Sequence, residues 1–118
     1  SFALSAQNIS DTATVVRSVD EVGRYKLYPT TNMWTFLKLD TRTGRIWQVQ
    51  WSFETDKRFE TVLSSYSIAW EDEEVNGRFV LYPTTNNYNF VMLDQVNGNT
   101  YQVQWSQEPD KRIVVPIE

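Results

Sequence analysis

The sequence predicts an all-β protein built from two tandem four-stranded antiparallel repeats, packed with pseudo-twofold symmetry as a sandwich or a small barrel. Three observations predict it. Residues 23–64 align without a gap to residues 77–118, with 21 of 42 positions identical, which marks duplication of one structural unit. Within each copy, short runs rich in aromatic and β-branched residues are punctuated by Pro, Asn, Asp and Gly. No stretch carries a helical period.

The elements follow in order. Tyr25–Tyr28 reads as a short strand halted by Pro29, which cannot donate to a ladder. Pro29-Thr-Thr-Asn32 and its counterpart Pro83-Thr-Thr-Asn86 carry turn chemistry. Trp34–Leu39 and Arg45–Ser52 form the next two strands, joined by Asp40-Thr-Arg-Thr-Gly44, with Asp94-Gln-Val-Asn-Gly98 in the second copy. The Asp carboxylate caps such a loop, and Gly takes the left-handed position that closes it. A fourth strand follows Asp-Lys-Arg in each copy, at Phe59–Leu63 and at Ile113–Val115, the latter stopped by Pro116.

A four-residue loop at Thr41–Gly44 fixes the register: Asp40 opposite Arg45, Lys38 opposite Trp47, Phe36 opposite Val49, Trp34 opposite Trp51. One face then carries Trp34, Phe36, Trp47, Val49 and Trp51, matched in the second copy by Tyr88, Phe90, Met92, Tyr101, Val103 and Trp105. A slip of one residue would scramble this agreement. The aromatic face is the expected core of both copies. Since neither unit can bury such a face alone, the copies are expected to pack these faces against each other. Two repeats are too few for a propeller.

The chain divides into an N-terminal segment 1–22, repeat 1 at 23–64, an acidic linker 65–76 and repeat 2 at 77–118, all within one domain of 118 residues. The linker holds Glu71-Asp-Glu-Glu74 and no basic residue, whereas repeat 1 carries seven basic and four acidic residues. The linker therefore reads as a solvated acidic loop, or as one lying against Lys38, Arg42 or Arg45. Tyr66, Ile68 and Trp70 lead part of it to dock and to pair as an edge strand.

Composition narrows function. With no cysteine and no histidine, the chain has no disulfide scaffold, thiolate zinc site, cysteine nucleophile or Ser-His-Asp triad. A net charge of −4 disfavours nucleic acid as a partner. No run of apolar residues is long enough to span a membrane as a helix. The opening Ser1–Gln7, short and uncharged, reads either as the tail of a secretory signal or as a frayed terminus. A secreted or periplasmic location is the favoured expectation.

The segment GRYKLYPTTNMWTFLKLDTRTGRIWQVQWS, repeated in tandem and closing on WSQEPDKRIVVPI, resembles a family of bacterial proteins of unknown function over residues 23–118. That resemblance implies no activity. LDTRTGRIW also looks like the Asp-x-x-Thr-Gly turn and Trp of blades in quinoprotein-type propellers, from which the second copy departs at Asn97 and Tyr101.

Several constellations are candidates for chemistry. Glu54 with Asp56, and Glu108 with Asp110, are carboxylate pairs of the kind an Asp/Glu-dependent hydrolase uses. The Lys-Arg that follows each pair favours the charged carboxylates and a surface turn with ion pairs. Asp94, Asn97 and Asn99 offer oxygen ligands around a Gly, but repeat 1 lacks the two Asn, so a plain hairpin turn is expected and no metal or cofactor is assigned. The repeated Tyr-Pro-Thr-Thr-Asn loops read equally as binding loops or as structural turns. Flat rings bordered by amides are what sugar recognition needs. Thr35, Gln48 and Gln50, with Asn89, Gln102 and Gln104, line the polar side of each sheet and are the candidate binding residues. The expected function is a non-catalytic binding or interaction module with a carbohydrate or protein partner. A hydrolase and a structural cell-envelope subunit are the other readings.

Overall fold

The structure is a computed structural model and describes residues 22–69 and 73–118. The expected N-terminal segment, except Val22, and Trp70, Glu71 and Asp72 of the linker lie outside the described residues. Strands β1 (Tyr25–Pro29), β2 (Thr35–Asp40), β3 (Ile46–Gln50) and β4 (Phe59–Ser64) form one antiparallel meander. Strands β5 (Phe79–Pro83), β6 (Asn89–Asp94), β7 (Thr100–Gln104) and β8 (Ile113–Ile117) form a second with the same order. The two sheets stack as an open sandwich of tandem repeats. Among the described residues no helix is long and apolar enough to cross a membrane.

The register is the expected one. Lys38 pairs with Trp47 and Phe36 with Val49, while Asp40 N donates to Arg45 O at 2.9 Å and Trp51 N to Trp34 O at 3.0 Å. Both loops close as their residues require. Arg42 N donates to Asp40 Oδ1 at 3.1 Å and Val96 N to Asp94 Oδ1 at 3.0 Å, and Gly44 and Gly98 take φ of 85° and 82°. The last strand differs: Pro116 does not stop β8 but sits inside it, opposite Tyr101. It is tolerated because β8 is an edge strand, where a missing donor breaks no ladder on the open side.

The faces that meet correct the sequence expectation for one repeat. In repeat 2 the buried side is the expected one, with Phe90, Met92, Val103 and Trp105 inside. In repeat 1 the opposite side is buried: Leu37, Leu39 and Ile46 are wholly inside, with Thr35 and Gln48. Phe36, Trp47 and Val49 are only partly covered and lie on the outward face. A twofold axis would bring equivalent faces together; here unlike faces meet. One core cluster joins Leu37, Leu39 and Ile46 to Phe79, Leu81, Phe90, Met92 and Val103.

The linker explains how the second sheet is seated. Ile68 N and Ala69 N donate to Thr43 O at 2.7 and 3.3 Å, and Ala69 is buried in the core. Gly77 N then donates to Thr41 Oγ1 at 2.9 Å, and Phe79 N to Thr41 O at 2.9 Å. The loop after β2 is thus the platform on which repeat 2 begins. Ile68 docks as expected while Tyr66 stays exposed, and the described part of the linker forms no strand. Of the basic residues expected to meet the linker, Arg42 reaches Asn76 Oδ1 at 3.0 Å and Lys38 pairs with Glu60 at 2.7 Å.

Two equivalent ion pairs tie the residue before each sheet's first strand to the end of its second strand. Arg24 holds Asp40 through two hydrogen bonds of 3.1 and 3.0 Å, and Arg78 holds Asp94 through two of 2.9 Å. The second pair is fully buried, and Arg78 Nη1 also donates to Glu73 O. Burial of the Asp94 carboxylate works to raise its pKa. The bonds from Arg78, the Val96 N–H and the Arg78 charge outweigh it and hold the group below the ordinary carboxylate value. Asp40 is lowered by the same balance, with Arg24 and Thr43 as its main partners against burial.

Candidate functional site

Each repeat folds the segment after its third strand into the same cleft. Trp51-Ser52-Phe53-Glu54 leads into a single 3₁₀ turn at Thr55–Lys57, and Trp105-Ser106-Gln107-Glu108 into one at Pro109–Lys111. Ser52 Oγ accepts from Glu54 N and Ser106 Oγ from Glu108 N, both at 3.0 Å. Arg58 Nε and Arg112 Nε close the turns by donating to Ser52 O and Ser106 O, both at 2.8 Å. The repeated Ser and Arg positions are therefore the fold requirement of this turn.

The cleft in repeat 2 has a volume of about 360 Å³ and is lined by Tyr88, Gln104, Trp105, Ser106, Glu108 and Lys111. Its counterpart in repeat 1 has about 290 Å³ and is lined by Trp34, Gln50, Trp51, Ser52, Glu54 and Lys57. An aromatic pair floors each: Tyr88 and Trp105 at 5.0 Å between ring centroids, Trp34 and Trp51 at 4.5 Å. The lower indole is pinned by its own N–H, from Trp105 Nε1 to Asn87 O at 3.2 Å and from Trp51 Nε1 to Met33 O at 2.8 Å. Gln104 Nε2 donates to Lys111 O at 2.8 Å, and Gln50 Nε2 to Lys57 O at 3.1 Å. The walls differ in two ways: exposed Phe53 stands edge-on to Trp51 where repeat 2 has Gln107, and Asn86 and Asn89 line only the cleft of repeat 2.

Of the six candidate binding residues, the structure places Gln50 in the cleft of repeat 1 and Asn89 and Gln104 in that of repeat 2. Asn89 and Gln102 join Gln104 in a line of amides: Gln102 Nε2 donates to Asn89 Oδ1 at 2.9 Å, and Asn89 Nδ2 to Gln104 Oε1 at 3.2 Å. Thr35 and Gln48 are not on a polar surface. Both are wholly buried between the sheets, and Gln48 Oε1 accepts from Ser106 N at 3.3 Å. The reason is the reversed facing of repeat 1, which turns its Gln side inward. Sequence reasoning also missed the clefts' aromatic floor and their Ser and Lys. The recurrence of Trp-Ser at 51–52 and 105–106 was the available signal.

The other candidates resolve into structure. Glu54, Asp56, Glu108 and Asp110 are all exposed, and Glu54 and Glu108 pair with Lys57 and Lys111 at 3.4 Å. None is desolvated as a glycosidase acid must be. Asp94 is engaged by Arg78, and Asn97 Oδ1 accepts from Asn99 N at 2.9 Å, so the oxygens of that loop serve the turn. In the Tyr-Pro-Thr-Thr-Asn loops, Thr30 Oγ1 donates to Thr35 O and Thr84 Oγ1 to Asn89 O, both at 2.8 Å. Asn32 Oδ1 and Asn86 Oδ1 receive Trp34 N and Tyr88 N at 2.8 and 2.9 Å. Their residues make the turns, and the turns place Trp34 and Tyr88 at the clefts. Comparison of the chain with family models, curated proteins and solved structures finds no match.

Proposed function

We propose that the protein is a binding module that takes a saccharide in its two equivalent clefts and performs no chemistry on it. The observation that carries this reading is the recurrence of one cleft, with ring pair, amide, hydroxyl, carboxylate and ammonium at matching positions, on two faces of different surroundings. An aromatic floor offers the C–H face of a sugar ring an apolar platform. The amide of Gln50 or Gln104 has one N–H and one lone pair beyond the two bonds each makes, and Glu and Lys at the rim add acceptors and donors for hydroxyls. Solvated, lysine-paired carboxylates suit hydrogen bonding to hydroxyls better than proton transfer. Two sites per chain raise avidity for a polymer that repeats the same unit.

The test is a glycan array followed by calorimetry on a hit. The expected stoichiometry is two saccharides per chain. Tyr88→Ala with Gln104→Ala, and separately Trp34→Ala with Gln50→Ala, each reduce it to one, with the far-UV spectrum unchanged. A chain that binds no saccharide on the array, or whose binding survives both pairs together, overturns the reading.

A further inference from the structure

Because the repeats stack through unlike faces, one face of each kind is left over among the described residues. Repeat 1 gives the interface its Leu37 and Gln48 side and turns Phe36, Trp47 and Val49 outward. Repeat 2 gives its Phe90 and Val103 side and turns Val91, Leu93 and Gln102 outward. The repeat alignment carries Leu37 onto Val91, Gln48 onto Gln102 and Val49 onto Val103. The two leftover faces are therefore the counterparts of the two that already pair. An interface between unlike surfaces does not saturate itself, and it propagates until a ring closes.

We propose that the outward face of repeat 1 docks the outward face of repeat 2 from a second copy of this chain, continuing the internal stacking head to tail.

Three observations carry the inference. The outward face of repeat 1 carries an apolar surface, crossed by the Lys38–Glu60 pair, in which Tyr25, Leu27 and Val62 are exposed around half-covered Phe36, Trp47 and Val49. Contiguous apolar area of this kind marks an interaction site. Next, both leftover faces depart from their buried counterparts in the same direction. Met92 and Val114 of the internal interface correspond to Lys38 and Glu60 outside, and Ile46 corresponds to Thr100. The external contact is a more polar copy of the internal one, as suits two folded chains that must also exist apart. The third observation is atomic. Across the internal interface Ser106 N donates to Gln48 Oε1 at 3.3 Å. Ser52 N, the counterpart of Ser106 N, has no acceptor among the described residues, and Gln102 Oε1, the counterpart of Gln48 Oε1, has no donor among them. Head-to-tail docking brings this donor and this acceptor together. The clefts survive it, since the cleft of repeat 2 is open with repeat 1 already docked.

Sedimentation of the whole chain tests this, using Val49→Lys and Val91→Lys. Both positions lie on outward faces, while their counterparts Val103 and Leu37 are wholly buried. The native chain is expected to show a mass rising with concentration to a whole multiple of one chain. Each variant alone weakens association about a hundredfold or more, because docking would desolvate the added lysine charge. An equimolar mixture of the variants still forms a one-to-one dimer, since each retains the face the other has lost. A native chain that stays monomeric to millimolar concentration overturns the proposal. So does a mixture that stays monomeric, or a variant that associates as the native chain does. Should a variant fail to fold by near-UV spectrum, the native sedimentation alone decides.

Discussion

Lys38 and Met92 hold the same position in the two repeats, yet Met92 is sealed in the core while Lys38 lies over the ring of Trp47 at 5.0 Å and pairs with Glu60. One backbone position is thus wet in the first sheet and dry in the second. The difference is the direct consequence of unlike faces meeting.

An exchange of these residues should be asymmetric. Lys38→Met removes a part-exposed pair and is expected to change stability by about 1 kcal/mol or less. Met92→Lys buries a charge with no partner and is expected to cost about 3 kcal/mol or more. Urea unfolding of the two variants measures both. Equal costs would mean that the two positions are equally covered.

The glycines of the two loops separate backbone strain from packing between sheets. Both are left-handed, so an alanine at either costs about 1–2 kcal/mol for its backbone alone. A Cβ at Gly98 meets open space, whereas a Cβ at Gly44 comes within 3.3 Å of the Ile68 side chain. Gly44→Ala is therefore expected to exceed Gly98→Ala by about 1 kcal/mol or more, as overpacking does. Thermal unfolding of the pair checks it. Indistinguishable losses would mean that the linker at Ile68 yields freely.

Acid stability should report the buried ion pair. A carboxylate whose native pKa is depressed contributes stability that is present above its unfolded value, about 3.9, and is lost as pH falls through the native one. Asp94 and Asp40 are both depressed, so stability is expected to fall with acid below about pH 4, not between pH 5 and 8. Asp94→Asn removes the buried carboxylate that takes two hydrogen bonds from Arg78. It is expected to cost about 3–5 kcal/mol at neutral pH and to flatten the acid slope. Urea midpoints from pH 2 to pH 6, for native and variant chains, supply the comparison. Arg24→Ala is expected to cost less than Arg78→Ala, because the Arg24 side chain is one-third exposed.

Strand number, register and loop chemistry were legible because each is local. Asp40 and Gly44 dictate a closure, and the closure dictates that Lys38 meets Trp47. Which face goes inward was not legible from the same reasoning. In repeat 1 both sides of β2 and β3 are apolar, Phe36 and Trp47 on one and Leu37 and Ile46 on the other, so alternation does not choose. Duplication implies equivalent burial only where the copies face each other across an axis, and two copies stacked in series are never equivalent. Lys38, a charge at the centre of the supposed core, was the visible sign. The candidate site divided along the same line: Asn89, Gln102 and Gln104 lie on an outward face as expected, and Thr35 and Gln48 do not.

That burial leaves a defect in repeat 1 which repeat 2 shows how to repair. Gln48 Nε2 and Thr35 Oγ1 are both buried without a partner among the described residues. In repeat 2 the matching Gln102 Nε2 donates to Asn89 Oδ1, and position 89 corresponds to Thr35. Thr35→Asn places an amide oxygen where Gln48 needs one. It is expected to raise stability by about 1 kcal/mol, the usual worth of a hydrogen bond made inside a fold. The gain should vanish in a Gln48→Leu background, since leucine has no donor to satisfy. A double-mutant cycle by urea unfolding isolates that coupling. A benefit from Thr35→Asn that persists with leucine at 48 would trace to packing and not to the amide pair. A loss in both backgrounds would mean that the site between the sheets has no room for the larger side chain.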